Sequence, residues 1–333
     1  MVAVISCIAC GTIAAPEDRY CEFCGHELVD LHWVSSTGAS GTCADGKVHP
    51  VAGGVCRGCG QRIIATGDMV EIGIDRIVGL SHRGHTRRRN EDAAAVGHTD
   101  TAAAAVVCDG VSTSTRSETA ARIAVDTGIR TLLDALSRGL NPHSATRNAV
   151  RAAFSAVAGL SVAATRHNPP SCTYVSTVVT PDEVTVGWIG DSRAYWLADT
   201  APVGSICLTV DDTLAGQLRE AGVPAATKFD ANATALIRWI WADAGDVAPN
   251  ITTFGPTGPG QVLLCTDGLT RYVTAPRDLA GAVAGDRPGA AAHLLTQLAL
   301  DGGGKDNITV VLVPFPPAGD RGTAGPSTGA ARR

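Results

Sequence analysis

The chain has 333 residues and a hydrophobic content of 45%, which suits one large globular domain with a small accessory module. Its formal net charge of −5 gives no electrostatic reason to expect nucleic acid or an anionic membrane as a partner. No run approaches the roughly 18 consecutive apolar residues of a membrane span, and the first residues lack the features of a signal peptide. We therefore expect a cytoplasmic protein without a membrane segment.

Cysteine is concentrated at the start of the chain, where seven of the eleven cysteines fall within the first 59 residues. The odd count, the CxxC pairs and the absence of an export signal indicate metal ligation in a reducing compartment rather than disulfides. Cys7, Cys10, Cys21 and Cys24 have the spacing of a four-thiolate zinc ribbon. We predict one zinc ion at these four residues.

A second zinc site would use Cys43, Cys56 and Cys59, with Ser40 at the position where a paired cysteine would fall. The fourth ligand is open between His49 and His32, and a degenerate site is the alternative. Residues 1–62 carry four basic and six acidic residues, a balance that disfavours nucleic-acid binding. It favours a structural or protein-interaction role for this part of the chain.

Composition divides the chain into four zones. We predict a cysteine-rich zinc-ribbon module at 1–62, a linker at 63–71, a large domain at 72–315 and a disordered tail at 316–333. The tail is assigned from its content of Pro, Gly, Ala, Ser and Thr.

Two long helices are predicted in the large domain. The first opens at a capping box, Thr115 to Glu118, and runs to about Leu140. The second opens at Asn141-Pro142 and stops before Pro169-Pro170. Apolar runs predict strands at Ala102–Cys108, Cys172–Thr180, Glu183–Ile189, Arg193–Leu197, Gln261–Cys265 and Asn307–Val313. Because the strands come in clusters and the helices follow each other, we expect antiparallel sheets with helices packed outside.

Carboxylates mark the ends of these strands. Asp109, Asp191 and Asp267 each follow an apolar strand, and Asp306 directly precedes one. Each Asp-Gly pair taken alone is also a good turn dipeptide. Four carboxylates gathered at one rim would repel one another, and divalent cations with oxygen ligands would resolve that repulsion. Two such ions about 4 Å apart are a known arrangement for attack on phosphorus.

A basic segment lies close to further carboxylates. Arg87, Arg88 and Arg89 come directly before Asn90-Glu91-Asp92. A solvated basic run is the ordinary interpretation of three consecutive arginines. A planar guanidinium also suits bidentate capture of a phosphate, and the adjacent carboxylates favour that role.

The order of these motifs resembles the type 2C protein phosphatase family of bacteria. The motifs are G-x-x-R-x-x-N-E-D (84–92), V-x-D-G (107–110), G-D-S-R (190–193), T-D-G-L (266–269) and D-N-I-T-V (306–310), and the resemblance covers about residues 75 to 314. It implies an α+β fold, an α-β-β-α sandwich of two antiparallel sheets flanked by helices. It also implies hydrolysis of phosphoserine and phosphothreonine in proteins by a hydroxide that bridges two Mn²⁺ or Mg²⁺ ions.

The resemblance also implies roles for individual residues. Arg87 would bind the substrate phosphate, and Asp109 would bridge the two metals. Asp267 and Asp306 would complete one metal site, while the Gly110 carbonyl, with Glu91 acting through water, would serve the other. Asp92 occupies the position of a supporting acidic residue.

Three departures from the family pattern stand out. Val111 to Arg116 replace the usual M-G-G-H and two small residues, which implies a different loop over the metals. Arg271 stands where many relatives have an acidic residue, which speaks against a third metal site at Asp191. His85 and Thr86 replace commoner residues beside Arg87.

Three functions follow as hypotheses. The first is an active phosphatase that opposes a serine/threonine kinase in the same cell. The second is a catalytically weak phosphatase-like domain that binds phosphoproteins, which the altered loop after Gly110 would favour. The third is a zinc-ribbon adaptor whose large domain only transmits a signal.

Overall fold

The computed structural model describes residues 5–6, 12–14, 22–24, 31–38, 51–52, 54–56, 61–161, 167–199, 204–222, 235–241 and 248–317. The strands in these residues are β1 (Ile5–Ser6), β2 (Ile13–Ala14), β3 (His32–Ser35), β4 (Val51–Ala52), β5 (Val55–Cys56), β6 (Arg62–Thr66), β7 (Met69–Ile74), β8 (Ile77–His82), β9 (Asp92–His98), β10 (Ala103–Asp109), β11 (Ser171–Cys172), β12 (Tyr174–Val179), β13 (Val184–Ile189), β14 (Arg193–Ala198), β15 (Ile206–Cys207), β16 (Ile240–Trp241), β17 (Asn250–Phe254), β18 (Gly260–Cys265) and β19 (Ile308–Phe315). The helices are α1 (Ser117–Ser137), α2 (Pro142–Ala158), α3 (Leu214–Glu220), α4 (Asp267–Thr270), α5 (Pro276–Ala282) and α6 (Pro288–Asp301).

Two large antiparallel sheets form the centre of the fold. One has the strand order β17-β13-β12-β10-β9-β3, and the other has the order β15-β14-β18-β19-β8-β7-β6-β5-β4. One apolar core lies between the sheets. A second core lies between the six-stranded sheet and α1 and α2, and a third lies between the nine-stranded sheet and α5 and α6. The predicted α-β-β-α sandwich of antiparallel sheets is confirmed.

Strand β10 shows why its sequence is continuously apolar. Ala105 and Val107 face the core between the sheets, whereas Ala104 and Val106 face the core under α1 and α2. Successive side chains of a strand point to opposite faces, so a strand covered on both sides needs apolar residues at every position. The buried strand ends only where Asp109 reaches the rim of the sandwich.

The ends of the two long helices differ in how well the sequence predicted them. Asn141 caps α2 as predicted, since its side chain accepts a hydrogen bond from the Ser144 backbone nitrogen at 2.8 Å. The predicted capping box of α1 is wrong. The helix begins at Ser117, and the Thr115 hydroxyl donates instead to the carbonyl of Asn168 at 2.6 Å. The two helices end at Ser137 and Ala158, earlier than predicted.

Strands β3 to β6 belong to the two large sheets, whereas β1 and β2 form a separate two-stranded sheet. Strand β3 pairs with β9, and the His32 ring stacks on His98 with ring centroids 5.2 Å apart. The segment 63–71, predicted to be a linker, carries most of β6 and the start of β7, which pair antiparallel around Gly67 and Asp68. The turn has two residues and Gly67 has a φ of 57°, a conformation that glycine adopts readily in hairpins. The predicted linker is therefore a hairpin of the nine-stranded sheet.

Most residues of the predicted zinc sites lie outside the described part of the chain. These are Cys7, Cys10, Cys21, Cys43, Cys59 and His49. Within the described part, Cys24 is exposed and Cys56 is buried in β5. Residues 318–333 of the predicted tail also lie outside it. In the parts of the chain that are described, no helix combines the length and apolar character needed to cross a membrane.

Candidate metal centre

The candidate site lies at one rim of the sandwich, where strand ends from both sheets meet. Asp92 begins β9 and Asp109 ends β10, and the antiparallel register places these two residues directly opposite each other. Asp267 follows β18 as the first residue of α4, and Asp306 comes two residues before β19 begins. Adjacent antiparallel strands thus bring carboxylates that are distant in sequence to the same edge.

One cavity of about 440 Å³ collects most of the predicted site residues. Its lining includes Arg87, Asp109, Gly110, Asp191, Asp267 and Asp306. Glu91 lines the neighbouring cavity instead, and its side chain accepts a hydrogen bond from the Ser117 hydroxyl at 2.8 Å. The Glu91 backbone carbonyl accepts a hydrogen bond from the Gly110 nitrogen at 3.2 Å, so Glu91 is the immediate neighbour of the site.

The glycines after Asp109 and Asp267 have a packing reason beyond the turn. A Cβ atom on Gly268 would lie 1.8 Å from the backbone oxygen of Asn307, and one on Gly110 would lie 2.7 Å from that of Ser117. Both distances are far inside van der Waals contact, and both neighbours are backbone atoms that cannot swing away. The Asp-Gly pairs therefore let neighbouring chain segments approach closely enough to bring the carboxylates together.

Burial and mutual repulsion raise the pKa values of these carboxyl groups. Desolvation, followed by the nearby charges of Asp92 and Asp267, raises the pKa of Asp109 well above its usual value. The pKa of Asp191 rises to about 7, mainly through burial and then through Asp267. The pKa of Asp267 is raised by burial and by Asp306. Ionising these carboxyl groups together is therefore unfavourable unless positive charge is supplied nearby.

Asp92 is buried beside these carboxylates and is hydrogen-bonded to the neighbouring strand ends. Its Oδ2 accepts hydrogen bonds from the Thr266 hydroxyl at 2.9 Å and the Thr309 hydroxyl at 2.8 Å. Its Oδ1 is buried and has no hydrogen-bond partner among the described residues. Burial raises the pKa of Asp92 to about 7 in spite of the two hydroxyl donors. A buried, partly unsatisfied carboxylate of this kind favours a nearby cation.

Two arginines neutralise part of the charge. Arg87 contacts both oxygens of Asp306 at 2.7 Å. One nitrogen of Arg271 contacts Oδ2 of Asp267 at 2.8 Å and Oδ2 of Asp306 at 3.1 Å. Within the described residues, no three His, Cys, Asp or Glu side chains form a ready ligand cage for a metal ion. The arginine contacts direct oxygens of Asp267 and Asp306 toward guanidinium groups.

The donor set nevertheless fits hard divalent cations. Carboxylate and carbonyl oxygens are the ligands that Mg²⁺ and Mn²⁺ take in proteins. Burial and nearby carboxylates raise the pKa values of Asp109 and Asp267, and Oδ1 of Asp92 has no hydrogen-bond partner among the described residues, so added positive charge would stabilise the ionised groups. A divalent cation among Asp109, Asp267 and Asp306 would supply it.

The region around Asp191 has a different character. Asp191 and Asp267 line a further cavity together with Arg271, so a guanidinium lies on the wall of the region where Asp191 would serve a third metal. Arg193 of the G-D-S-R motif contacts both oxygens of Asp211, at 2.7 and 2.6 Å. That pair fixes the chain after β14, which gives Arg193 a structural role.

An apolar wall completes the cavity, and sequence reasoning did not find it. Ala235, Leu236 and Trp239 line it together with the carboxylates. Trp239 is only partly buried, and the centroid of its ring lies 5.8 Å from that of Trp241. A one-residue bridge between Leu236 and Thr213 anchors this wall. The signal in the sequence was two tryptophans separated by one residue.

The loop that departs from the family pattern is held by side chains rather than by glycines. The Ser112 hydroxyl accepts a hydrogen bond from Arg87 at 3.0 Å. Asn168 donates to the Thr113 carbonyl at 2.7 Å. These contacts hold the loop at the edge of the cavity. The loop is therefore held by side-chain hydrogen bonds, and the loss of the glycines removes none of the residues predicted to bind the two metals.

Comparisons with known proteins agree with this geometry. A family model described as protein phosphatase 2C matches residues 78–286. The serine/threonine protein phosphatase PstP of Mycobacterium tuberculosis is 28% identical over 240 residues, which are 71% of this chain and 44% of that protein. The chain therefore spans less than half the length of that relative.

Solved structures give the same result. The crystal structure of PstP from Mycobacterium tuberculosis has a TM-score of 0.58 at 27% identity and covers 71% of this chain and 97% of its own. A crystal structure of the PstP catalytic domain in complex with two manganese ions has a TM-score of 0.57 at 27% identity, with 71% and 96% covered. Stp1 from Staphylococcus aureus, at 22% identity, has a TM-score of 0.61 with 72% and 94% covered, which supports the fold.

Proposed function

Because this chain belongs to the protein phosphatase 2C family, we propose that it hydrolyses phosphoserine and phosphothreonine in proteins. The observation that carries the proposal is the single cavity that contains Arg87, Asp109, Asp267 and Asp306, each on a motif of the family. Phosphoproteins as substrates imply a serine/threonine kinase in the same cell that supplies them. The thiol-rich N-terminal sequence supports action in the reducing cytoplasm.

Two divalent cations are part of this proposal. Asp109, Asp267, Asp306 and the Gly110 carbonyl would hold them, with Glu91 acting from the adjacent cavity through water. Manganese is supported by the PstP structure that contains two manganese ions. When bound, the ions would supply an activated water and neutralise charge on the phosphate.

The residues of the chain would position the substrate. Arg87 presents a planar fork of donors at the cavity wall, and that fork suits phosphate oxygens as well as the Asp306 carboxylate it contacts here. Metal binding at Asp306 would compete for that carboxylate and leave the fork available to the phosphate. The apolar wall of Leu236 and Trp239 would contact the peptide beside the phosphoresidue and limit access of water.

We predict that the full chain releases phosphate from a phosphothreonine peptide only when Mn²⁺ or Mg²⁺ is added, and that Arg87→Ala raises KM. Loss of charge-assisted hydrogen bonds to the phosphate is expected to raise KM by about 10- to 100-fold, with a smaller change in kcat. Steady-state kinetics in Mn²⁺ measure both. Arg277→Ala is the matched control, because Arg277 is exposed on α5. No turnover by folded wild-type protein in millimolar Mn²⁺ would contradict the proposal.

The same assay distinguishes an active phosphatase from the second hypothesis, a phosphatase-like domain that binds phosphoproteins. A phosphoprotein-binding domain with weak catalysis is favoured by one observation, the contacts of Arg87 and Arg271 with the carboxylates of the site. Such a protein would bind the phosphothreonine peptide in Mn²⁺ without releasing phosphate. The absence of both binding and release would leave the adaptor hypothesis.

We further propose that Cys7, Cys10, Cys21 and Cys24 bind zinc, with a second zinc at Cys43, Cys56, Cys59 and one histidine. Sequence spacing supports this proposal. Freshly purified, reduced protein should contain about one zinc per chain, or about two if the second site is complete, by elemental analysis. The Cys7→Ser/Cys10→Ser variant should lose one zinc, whereas Cys207→Ser, at an exposed cysteine of β15, should lose none. Zinc-free wild-type protein would refute the proposal.

A further inference from the structure

A second cavity, of about 460 Å³, opens directly beside the metal centre and shares Arg87 and Ser112 with it. Its remaining lining residues are Thr86, Arg88, Arg89, Glu91, Ser114, Arg116, Ser117 and Glu118. We call it the arginine pocket. None of the roles that the family resemblance implies falls on Arg88, Arg89 or Arg116.

The arginine pocket carries an excess of positive charge. Of its four arginines, Arg87 pairs with Asp306 and Arg89 pairs with Glu118 at 2.8 Å. Arg88 and Arg116 are exposed, and in the described part of the chain neither side chain has an ion-pair or hydrogen-bond partner. Both guanidinium groups are therefore available to an anion from solution.

Two other features of the pocket point to the same kind of ligand. Helix α1 starts at Ser117, and its N-cap residue Arg116 provides no side-chain hydrogen bond to the first turn. The positive end of this helix of 21 residues thus adds to the arginine charges. Ser114 lies on the wall of the pocket, and its hydroxyl has no hydrogen-bond partner among the described residues.

The position of the arginine pocket beside the metal centre restricts which ligand can occupy both sites at once. The two cavities share Arg87 as a wall, so an anion in the arginine pocket would lie about one side chain away from the phosphate at the metals. In an extended peptide, residues i and i+2 point to the same side and are about 7 Å apart. A peptide with a phosphoresidue at the metals would thus bring the side chain two residues away to the pocket.

We propose that the arginine pocket binds a second phosphate group of the substrate, carried two residues from the phosphoresidue being hydrolysed. The proposal rests on the proposed phosphatase function and specifies its substrate class as multiply phosphorylated segments. A phosphate dianion matches two guanidinium groups and a helix N-terminus better than a single carboxylate does. A glutamate at the same position shares part of this chemistry and is distinguished below.

The conformation of Arg116 guides the choice of variants. Arg116 has a φ of 54°, in the left-handed region, where an L-residue other than glycine costs about 1 kcal/mol. Arg116→Gly removes the guanidinium and relieves this cost, and Arg88→Ser alters an exposed side chain, so the double variant is expected to remain folded. Arg130→Ser is the control, because Arg130 is exposed on the same helix, about 20 Å along its axis.

The test compares three peptides that each contain a phosphothreonine and are identical except at one position, two residues away from it. That position carries threonine, glutamate or a second phosphothreonine. In wild-type protein and in Arg130→Ser, kcat/KM for the doubly phosphorylated peptide is expected to exceed that for the singly phosphorylated peptide by about 10-fold. Two equivalent sites would give only about twofold by statistics, and glutamate should fall between. In the Arg88→Ser/Arg116→Gly variant, the ratio should fall to about two.

A binding measurement keeps this proposal separate from the catalytic one. Fluorescence polarisation in Mn²⁺ gives the affinities of labelled versions of the same peptides in which a methylene group replaces each phosphate ester oxygen, so that they cannot be hydrolysed. A tighter affinity for the doubly phosphorylated peptide that disappears in the double variant supports the pocket. If turnover is absent at the same time, only the phosphatase proposal fails. Equal affinities in wild-type protein, or a preference that the double variant retains, would overturn the pocket. A glutamate peptide equal to the doubly phosphorylated one would show a general acidic subsite and overturn phosphate selectivity.

Discussion

The Asp109→Asn variant is expected to lose at least about 1,000-fold in turnover of a phosphothreonine peptide, and to melt at a higher temperature than wild type in metal-free buffer. Asp109 ends β10 opposite Asp92 and lies in the cavity with Asp267 and Asp306. An amide of the same shape cannot ionise, so no negative charge can form at this position of the cluster. It therefore relieves repulsion in the metal-free protein while weakening the proposed metal centre.

The pH dependence of stability tests whether repulsion among these carboxylates destabilises the metal-free protein. Burial and neighbouring charge raise the pKa of Asp92 and of Asp191 from 3.8 to about 7, and raise that of Asp109 well above its usual value. The folded state therefore binds more protons than the unfolded state between about pH 4 and 7. The stability that these groups contribute is present at low pH and is lost as the pH rises, by up to about 1.4 kcal/mol per pH unit for each group.

Thermal unfolding at pH 5 and pH 7.5, with and without Mn²⁺, measures this effect. Metal-free wild-type protein should lose stability between the two pH values, and Mn²⁺ should reduce the loss. Asp109→Asn should show a smaller loss without metal. Asp100→Asn, in the exposed turn between β9 and β10, is the control and should behave as wild type. Full activity in Asp109→Asn, or an unchanged pH dependence of its stability, would contradict the role given to Asp109.

The sequence was sufficient to predict which carboxylates gather at the rim. Asp109, Asp191 and Asp267 follow apolar strands that are long enough to be recognised, and Asp306 precedes another. Antiparallel pairing of neighbouring strands then leaves little freedom in where these residues lie. The same reasoning predicted the two sheets and the outer helices. Short-range patterns and simple connections were enough for these features.

Features that depend on contacts between distant segments were not predictable. The capping box of α1 failed because Thr115 has a competing partner in Asn168, more than 50 residues later in the chain. The pairing of β3 with β9 depends on which sheet edge is available, and no local pattern encodes that. The linker assignment overlooked a two-residue Gly-Asp turn between alternating strands, a local signal that sequence reasoning could have used.

The contacts of Arg271 were predictable only in part. Sequence reasoning noted the arginine but treated T-D-G-L as a turn after a strand. In the structure Asp267 begins the short helix α4, which places Arg271 four residues later on the same side and in contact with Asp267. The second contact, with Asp306, depends on β19 lying beside α4 and could not be derived from spacing.

Arg271→Ala is expected to bind Mn²⁺ about 10-fold more tightly than wild type. In the metal-free protein its guanidinium contacts one oxygen of Asp267 and one of Asp306, both of which are proposed metal ligands. A metal ion must displace these contacts and approach a fixed positive charge. Removing the side chain removes both obstacles. Isothermal titration calorimetry of the metal-free chain gives the affinity without requiring turnover.

The same substitution should have opposite effects on stability with and without metal. Without Arg271 the repulsion between Asp267 and Asp306 is less compensated, so metal-free Arg271→Ala should melt at a lower temperature than wild type. Because tighter binding stabilises the folded state more, the rise in melting temperature on adding Mn²⁺ should be larger. Arg277→Ala removes an exposed arginine of α5 and should leave both quantities unchanged.

Arg271→Asp extends the argument to the third metal. This change replaces the positive charge with a carboxylate beside Asp191 and Asp267, which line one cavity with it. We expect titration to detect one more bound Mn²⁺ per chain than in wild type, with Arg271→Ala intermediate in affinity but unchanged in stoichiometry. If neither variant altered Mn²⁺ affinity or stoichiometry, the guanidinium would not compete with metal, and the carboxylates it contacts would not be the ligands. If both responded as expected, Arg271 would be a built-in cation that limits this chain to two metals.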